Sequence, residues 1–173
     1  AAQGILRVES YETYRNPVHF DELPGEKKKL TEVQQEIADD FIRSYDAGDR
    51  TPVLLHGITG SGKTEVYMEM IDAMLQRGKQ CIVLIPEIAL TYQTLLRFYK
   101  RFGDAVSVMH SRLSAGERYD QMKRAKRGEV QVMIGPRSAL FTPFQKLGLI
   151  IMDEEHETSY KSDSMPKYHV REI

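Results

Sequence analysis

The stretch Gly57-Ile58-Thr59-Gly60-Ser61-Gly62-Lys63-Thr64 follows the pattern G-x-x-x-x-G-K-T, which is typical of a phosphate-binding loop. Before it, the apolar run 53–55 predicts a short buried strand. After it, Val66, Met70 and Met74 recur at the four-residue spacing of a helix. Because strand, glycine-rich loop and helix form the context that the motif requires, we expect the loop to bind phosphates. The alternative is a glycine-rich turn that carries a surface lysine.

The chemistry of this loop depends on its glycines and on its two last residues. Glycines allow the backbone to curl so that its N–H groups point at phosphate oxygens, and the start of the following helix adds a positive dipole end. The Lys63 ammonium can reach the β- and γ-phosphates, and the Thr64 hydroxyl can ligate Mg²⁺. The predicted nucleotide contacts are Gly57, Thr59, Gly60, Ser61, Gly62, Lys63, Thr64 and Glu65.

Composition places the chain among ordinary globular proteins. Its 173 residues are 41% apolar and 28% charged, and the net charge of −1 gives no overall bias toward nucleic acid. The single cysteine, Cys81, excludes an internal disulfide and a multi-cysteine zinc site, and we expect it to be a buried core residue. No run reaches membrane-span length and no signal peptide opens the chain, so we expect a cytoplasmic location without membrane contact.

The chain divides into a short leading segment and one domain. Residues 1–29 show no sustained periodicity and contain prolines and a lysine run, which indicates a connector or the tail of a preceding domain. Residues 30–173 form the predicted domain. Thr31 and Gln34 make a capping box for a helix that runs to about Tyr45. Alternatively, the Gln34 amide reads adenine, because it offers both a donor and an acceptor.

Predicted helices and strands alternate along the rest of the domain. Helices are predicted to end at Gly78, to run from the segment 86–91 to Phe102, and to run from the capping box 114–117 to Arg127. Further strands are predicted at 81–85, 105–109, 130–134 and 149–152. This alternation predicts an α/β fold, a three-layer α/β/α arrangement with a mostly parallel sheet. In such sheets ligands bind at the carboxyl ends of the strands, where the predicted site residues from 57 onward fall.

Two acidic residues follow the last predicted strand. Asp153 comes directly after four apolar residues and can hold Mg²⁺ opposite Thr64, while Glu154 can polarise an attacking water as a general base. The alternative is a cluster that only caps the strand end. Lys63 of the phosphate loop would be the catalytic cation. The loop and the acidic pair together predict a nucleoside triphosphatase.

Glu155 and His156 extend the pair to D-E-E-H, and here the chain resembles superfamily 2 helicases. It resembles the PriA family of bacterial replication-restart helicases more closely, across about residues 30–173. The matching motifs are 57–67 (GITGSGKTEVY), 86–93 (PEIALTYQ), 110–114 (HSRLS), 137–144 (RSALFTPF), 147–160 (LGLIIMDEEHETSY) and 167–171 (KYHVR).

The resemblance implies a RecA-like P-loop NTPase fold and a 3′-to-5′ DNA translocase that uses ATP and Mg²⁺ in replication restart. Its partners would be single-stranded and forked DNA, primosome proteins and single-strand-binding proteins. The protein would be cytoplasmic and associated with the bacterial nucleoid. Glu155 and His156 would couple hydrolysis to DNA. The DNA contacts would be Thr91, Gly135, Arg137, Ser138, Tyr160, Lys161, Tyr168, His169 and Arg171. Alternatively, Arg137 makes a surface salt bridge and the tyrosines simply pack at a domain edge. Pro136 departs from the family's usual threonine and puts contact at that position in doubt.

The same resemblance implies that the chain is the first of two helicase lobes. The second lobe, which supplies arginine to the nucleotide, and the family's zinc-binding cysteines are not in this sequence. We therefore expect weak nucleotide binding, poor hydrolysis and no unwinding from this chain alone. Two alternatives are a double-strand DNA translocase or remodeller and a nucleotide-dependent binding module with vestigial hydrolysis.

Overall fold

A computed structural model describes residues 29–162, 165 and 167–172. The segment 1–29, predicted to be a connector, lies outside the described residues except for Lys29. The helices are α1 (Glu32–Asp46), α2 (Lys63–Gln76), α3 (Tyr92–Phe102) and α4 (Ala115–Arg127). The strands are β1 (Gln80–Leu84), β2 (Val106–Val108), β3 (Val132–Gly135) and β4 (Leu147–Met152).

The four strands form one sheet in the order β2-β3-β1-β4, and every pair of neighbours is parallel. Alternate side chains of β1 point to opposite faces. Cys81 and Val83 join a core with residues of α1, α2 and α3, whereas Ile82 and Leu84 join a second core with residues of α4. The predicted three-layer α/β/α fold with a mostly parallel sheet is therefore confirmed.

The predicted starts of α1 and α4 and the predicted end of α4 are also confirmed. Capping boxes begin α1 at Thr31 and α4 at Ser114, where the side chains of Gln34 and Glu117 return to the cap backbone. Gly128 ends α4 in the left-handed conformation with φ of 78°, which costs glycine little because it has no Cβ.

Two predicted elements differ from the structure. The run 53–55 forms no strand, and the side chains of Val53 and Leu54 are 63% and 71% exposed. A strand needs a hydrogen-bonded partner, and the described sheet instead ends at β4. The helix expected from the segment 86–91 begins only at Tyr92, because residues 87–89 form a 3₁₀ turn and Thr91 is the N-cap. No helix in the described part of the chain is long and apolar enough to cross a membrane.

Candidate functional site

The phosphate loop leads directly into α2, whose first residue is Lys63. Gly62 is the N-cap with φ of 85°, and Gly60 has φ of 80°, so two loop positions adopt a conformation that favours glycine. The Lys63 ammonium donates to the carbonyls of Gly57 at 2.7 Å and Ile58 at 3.1 Å. The cation therefore lies over the curled loop, where the motif requires it.

Gln34 links α1 to this loop. Its Oε1 accepts from the Thr31 N–H at 3.0 Å, which confirms the capping box, and its Nε2 donates to the Ser61 carbonyl at 2.9 Å. A Cβ on Gly62 would lie 2.4 Å from this Nε2. The amide thus caps its own helix and also supports the loop, and adenine reading stays a prediction.

Tyr67 connects the phosphate-loop helix to the acidic segment. Asp153 follows β4 and is anchored by its N–H, which donates to the Leu84 carbonyl at 2.9 Å. The Tyr67 hydroxyl donates to Asp153 Oδ2 at 3.1 Å, and the Tyr67 side chain is 4% exposed. Burial and the Asp153 charge raise the pKa of Tyr67, whereas a hydrogen bond with the Thr64 side chain lowers it. The Asp153 carboxylate is therefore bonded to a residue of the helix that begins at the phosphate loop.

Glu154 has an unusual backbone. Its φ is 49°, and its N–H donates to Asp153 Oδ1 at 3.1 Å. Left-handed backbone at a residue other than glycine costs about 1–3 kcal/mol and is concentrated at functional sites. The Glu154 carboxylate is exposed and lies 3.7 Å from His156 Nε2. The turn thus presents the predicted general base to solvent beside the anchored Asp153.

Tyr160 was expected to stack on a base, but it is only 1% exposed. Its hydroxyl lies 2.9 Å from the Leu84 carbonyl and 2.6 Å from the Asp153 carbonyl. Burial raises the pKa of this hydroxyl. The ring has no free face for a base, so the structure contradicts the stacking expectation and instead places Tyr160 behind Asp153, in agreement with the alternative of packed tyrosines.

The acidic turn contacts the last described segment. Arg171 donates to the Glu155 carbonyl at 2.8 Å and also pairs with the Glu155 carboxylate. His169 Nδ1 accepts from the Arg171 N–H at 3.2 Å, and Lys161 forms an isolated antiparallel bridge with His169. The predicted coupling residue Glu155 and three predicted DNA contacts therefore lie in one connected region.

A cleft of about 680 Å³ lies at the carboxyl ends of β1, β2 and β3. Four of the predicted DNA contacts line it, namely Arg137, Ser138, Tyr160 and Lys161. Arg137 donates to the Ser159 carbonyl at 3.4 Å and to the Lys161 carbonyl, so backbone oxygens hold the guanidinium, and no carboxylate among the described residues pairs with it.

His110 also lines this cleft. Burial lowers the pKa of the imidazole, and no described group hydrogen-bonds its buried Nδ1. Glu87, at the same cleft, accepts from the Ser111 N–H at 3.3 Å and from the Ser111 hydroxyl, and this hydroxyl contact lowers the pKa of Glu87.

Other predicted site residues have structural partners. The Thr91 side chain accepts from the Thr94 N–H at 3.2 Å as the cap of α3. Gly135 is buried, and a Cβ there would lie 2.4 Å from the Met109 carbonyl, so close packing alone requires this glycine. Tyr168 packs edge-on against Phe141 with ring centroids 5.4 Å apart.

Glu65, predicted to contact nucleotide, is turned toward α3. Its carboxylate accepts from Arg97 at 2.6 Å and lies 3.9 Å from Arg101, which also pairs with Glu69 and Asp72 at 2.8 and 2.5 Å. These ion pairs join α2 to α3, and they do not bring Glu65 to the phosphate loop.

The donor set fits a magnesium ion that arrives with a nucleotide. Among the described residues, no group of three or more His, Cys, Asp or Glu side chains could hold a metal. Magnesium is commonly bound through one or two carboxylates together with substrate phosphates. The Thr64 hydroxyl and the Asp153 carboxylate, which is bonded to Tyr67 of the same helix as Thr64, match that requirement.

Sequence reasoning missed the roles of two tyrosine hydroxyls at Asp153. Tyr67 lies three residues after Thr64 on α2, and this helical spacing was a local signal that the two side chains are neighbours. The contact of Tyr160 with the backbone of Leu84 had no local signal, because it joins separate parts of the chain.

The fold is of the RecA-like P-loop type, as shown by three features: a parallel sheet between two layers of helices, the phosphate loop and the anchored acidic turn. The family described as type III restriction enzyme, res subunit, matches residues 27–173. The chain therefore belongs to this family.

Comparison with individual relatives narrows the family assignment. The replication restart protein PriA of Bacillus subtilis (strain 168) is 46% identical over 173 residues, 99% of this chain and 21% of that protein. The PriA of Treponema pallidum (strain Nichols) is 51% identical over 170 residues, 98% of this chain and 23% of that protein. The chain is thus homologous to PriA, which confirms the predicted resemblance, and it spans about a fifth of the length of these curated relatives.

Proposed function

We propose that this chain is the ATP-binding lobe of a PriA-type replication-restart helicase, a 3′-to-5′ DNA translocase of the bacterial cytoplasm. The observation that carries the proposal is the contact between the phosphate-loop helix and the acidic turn, where Tyr67 donates to Asp153 at 3.1 Å. Two motifs that lie far apart in sequence thereby form one site. Homology to PriA over 99% of the chain supports the assignment to replication restart.

Each residue of this site has a chemical role in the proposal. The Lys63 ammonium binds the β- and γ-phosphates when it leaves the loop carbonyls, and Thr64 and Asp153 would hold Mg²⁺. The bound Mg²⁺ supplies positive charge that neutralises the phosphates. Glu154, exposed beside Asp153, orients and deprotonates the attacking water.

Single-stranded DNA is the proposed ligand of the cleft at the strand ends. Phosphate contacts to such chains come from arginine, lysine and hydroxyl side chains. Arg118, Arg137, Ser138 and Lys161 line the cleft and supply these groups. Among the predicted DNA contacts, Tyr168 and His169 carry partly exposed rings that could contact bases. Forked DNA, primosome proteins and single-strand-binding proteins are proposed partners of the longer protein.

Hydrolysis by this chain alone should be poor. In nucleotide hydrolases of this kind, an arginine supplied by another lobe or protein is worth about 10³–10⁵ in rate. We therefore expect nucleotide binding without DNA-stimulated turnover or unwinding. Robust ATPase activity of the 173-residue chain in the presence of single-stranded DNA would contradict this expectation.

The direct test is equilibrium binding of a fluorescent ATP analogue with Mg²⁺, with unlabelled ATP and GTP as competitors. We expect saturable binding that Lys63→Ala abolishes and that the control Lys126→Ala, an exposed lysine on α4, retains. Better competition by ATP than by GTP would support adenine reading by Gln34. Absence of binding by a folded wild-type chain would refute a working nucleotide site.

A further inference from the structure

Tyr67 has a fixed place beside the proposed magnesium site. It lies on α2, one helical turn after Thr64, and its ring stacks on Phe98 of α3 with centroids 6.2 Å apart. Only 4% of the side chain is exposed. Because packing holds the ring, the position of the hydroxyl is set by the core rather than by solvent.

This hydroxyl takes part in orienting the Asp153 carboxylate. Asp153 Oδ2 accepts from the Tyr67 hydroxyl at 3.1 Å, and Oδ1 accepts from the Glu154 N–H at 3.1 Å. With one bond to each oxygen, the rotation of the carboxylate about its side chain is restricted. Thr64 lies one helical turn before Tyr67 on α2, so the residue that bonds Asp153 is a helical neighbour of the other proposed magnesium ligand.

We propose that Tyr67 is a positioning residue that sets the Asp153 carboxylate relative to Thr64 for the magnesium ion of bound ATP. This inference rests on the proposed function. The two ligands come from different elements, α2 and the end of β4, and Tyr67 of α2 bonds the Asp153 carboxylate across that gap. Partners that orient metal ligands commonly change metal affinity by about 10–100-fold when they are removed.

The alternative role for Tyr67 is packing between α2 and α3. Removing the hydroxyl would then lower the melting temperature by the same amount with and without magnesium. A positioning role instead changes the magnesium concentration needed for tight nucleotide binding. Magnesium dependence therefore separates the two roles, whereas loss of stability alone does not.

The experiment uses Tyr67→Phe, which keeps the ring contact with Phe98, and titrates Mg²⁺ against binding of a fluorescent ATP analogue. The Mg²⁺ concentration at half-maximal binding should rise about tenfold. Binding without Mg²⁺ should be unchanged, because the Tyr67 hydroxyl bonds Asp153, which is a proposed ligand of the metal and not of the nucleotide. The control is Tyr99→Phe, which removes another buried hydroxyl from the same core. The charged groups near the Tyr99 hydroxyl are Asp104 and Arg124, not Asp153. This variant should leave the Mg²⁺ concentration at half-maximal binding unchanged.

The outcomes discriminate between this inference and the proposed function. If wild-type chain binds the analogue and Lys63→Ala does not, but Tyr67→Phe has the wild-type magnesium midpoint, the positioning role is wrong and the proposed function stands. If folded wild-type chain binds no nucleotide, both are wrong. Circular dichroism checks folding, and added sucrose keeps the titration readable if Tyr67→Phe is less stable.

Discussion

Replacement of Gly62 by alanine tests the geometry of the phosphate loop most directly. Gly62 has φ of 85°, and a Cβ there would lie 2.4 Å from Gln34 Nε2. Alanine therefore meets two obstacles, a left-handed backbone and a side-chain amide. The amide is the end of a flexible chain, so it can move away, but it then loses its 2.9 Å hydrogen bond to the Ser61 carbonyl.

The two costs can be added. Left-handed backbone costs an L-residue about 1–2 kcal/mol, and the lost hydrogen bond costs about 0.5–1.5 kcal/mol. Gly62→Ala should therefore lower the free energy of unfolding by about 1.5–3.5 kcal/mol. Gly128 is the matched control, because its φ is 78° and a Cβ there meets nothing within 4 Å. Gly128→Ala should cost only the backbone share, about 1–2 kcal/mol.

Urea unfolding followed by far-ultraviolet circular dichroism measures both variants, with unchanged m-values as the check on two-state behaviour. The same substitution in a Gln34→Ala background should cost no more than Gly128→Ala, because the obstructing amide is gone. Equal costs for Gly62→Ala and Gly128→Ala in the wild-type background would refute the contact between Gln34 and the loop. The contact would also be refuted if Gly62→Ala lowered the free energy of unfolding by as much in the Gln34→Ala background as in the wild type.

Three further predictions concern buried groups. Tyr160→Phe removes the hydroxyl that Leu84 and Asp153 share and should lower the free energy of unfolding by about 1–3 kcal/mol in urea denaturation. Burial lowers the pKa of His110 below 6.5, so the unfolded chain binds protons more readily and stability falls as the pH drops below that value. His110→Gln should flatten this pH profile of thermal unfolding. Burial raises the pKa of the Cys81 thiol to about 12, and the side chain is 0% exposed, so a thiol reagent should label it only as fast as the protein unfolds.

Each of these three predictions can be contradicted by a specific result. Tyr168→Phe, at a partly exposed ring, should be nearly neutral; a Tyr160→Phe variant as stable as wild type would contradict the buried hydrogen bonds. A pH profile of His110→Gln as steep as that of the wild type would rule out that histidine as its cause. Rapid labelling of native protein, at the rate seen in guanidinium, would place Cys81 outside the core.

Local patterns predicted much of this molecule. The capping boxes at Thr31 and Ser114 need only residues three positions apart, so their side chains reach the cap in any helix that begins there. The phosphate loop was also predictable, since its glycines and Lys63 are consecutive. The parallel sheet followed from the alternation of apolar runs with helical patterns.

Other expectations failed where partners come from distant parts of the chain. The run 53–55 is apolar enough for a strand, but the described sheet offers it no hydrogen-bonded neighbour. Tyr160 looked like a surface ring among cations, yet the packing of the second core buries it behind Asp153. At Gly135 the close approach of Met109 requires a glycine, a reason that the local pattern did not show, and the predicted phosphate contact there stays a prediction.

The sequence by itself therefore determined the class of fold and the chemistry available to it: a phosphate loop, an acidic turn and a parallel sheet that brings both to one edge. Only the tertiary structure decided which side chains hold that chemistry in place, above all Tyr67 against Asp153 and Gln34 against Ser61. The physical reason is that a motif is encoded by neighbours along the chain. A supporting contact depends on how separate elements pack, and many tyrosines and glutamines have the same local pattern.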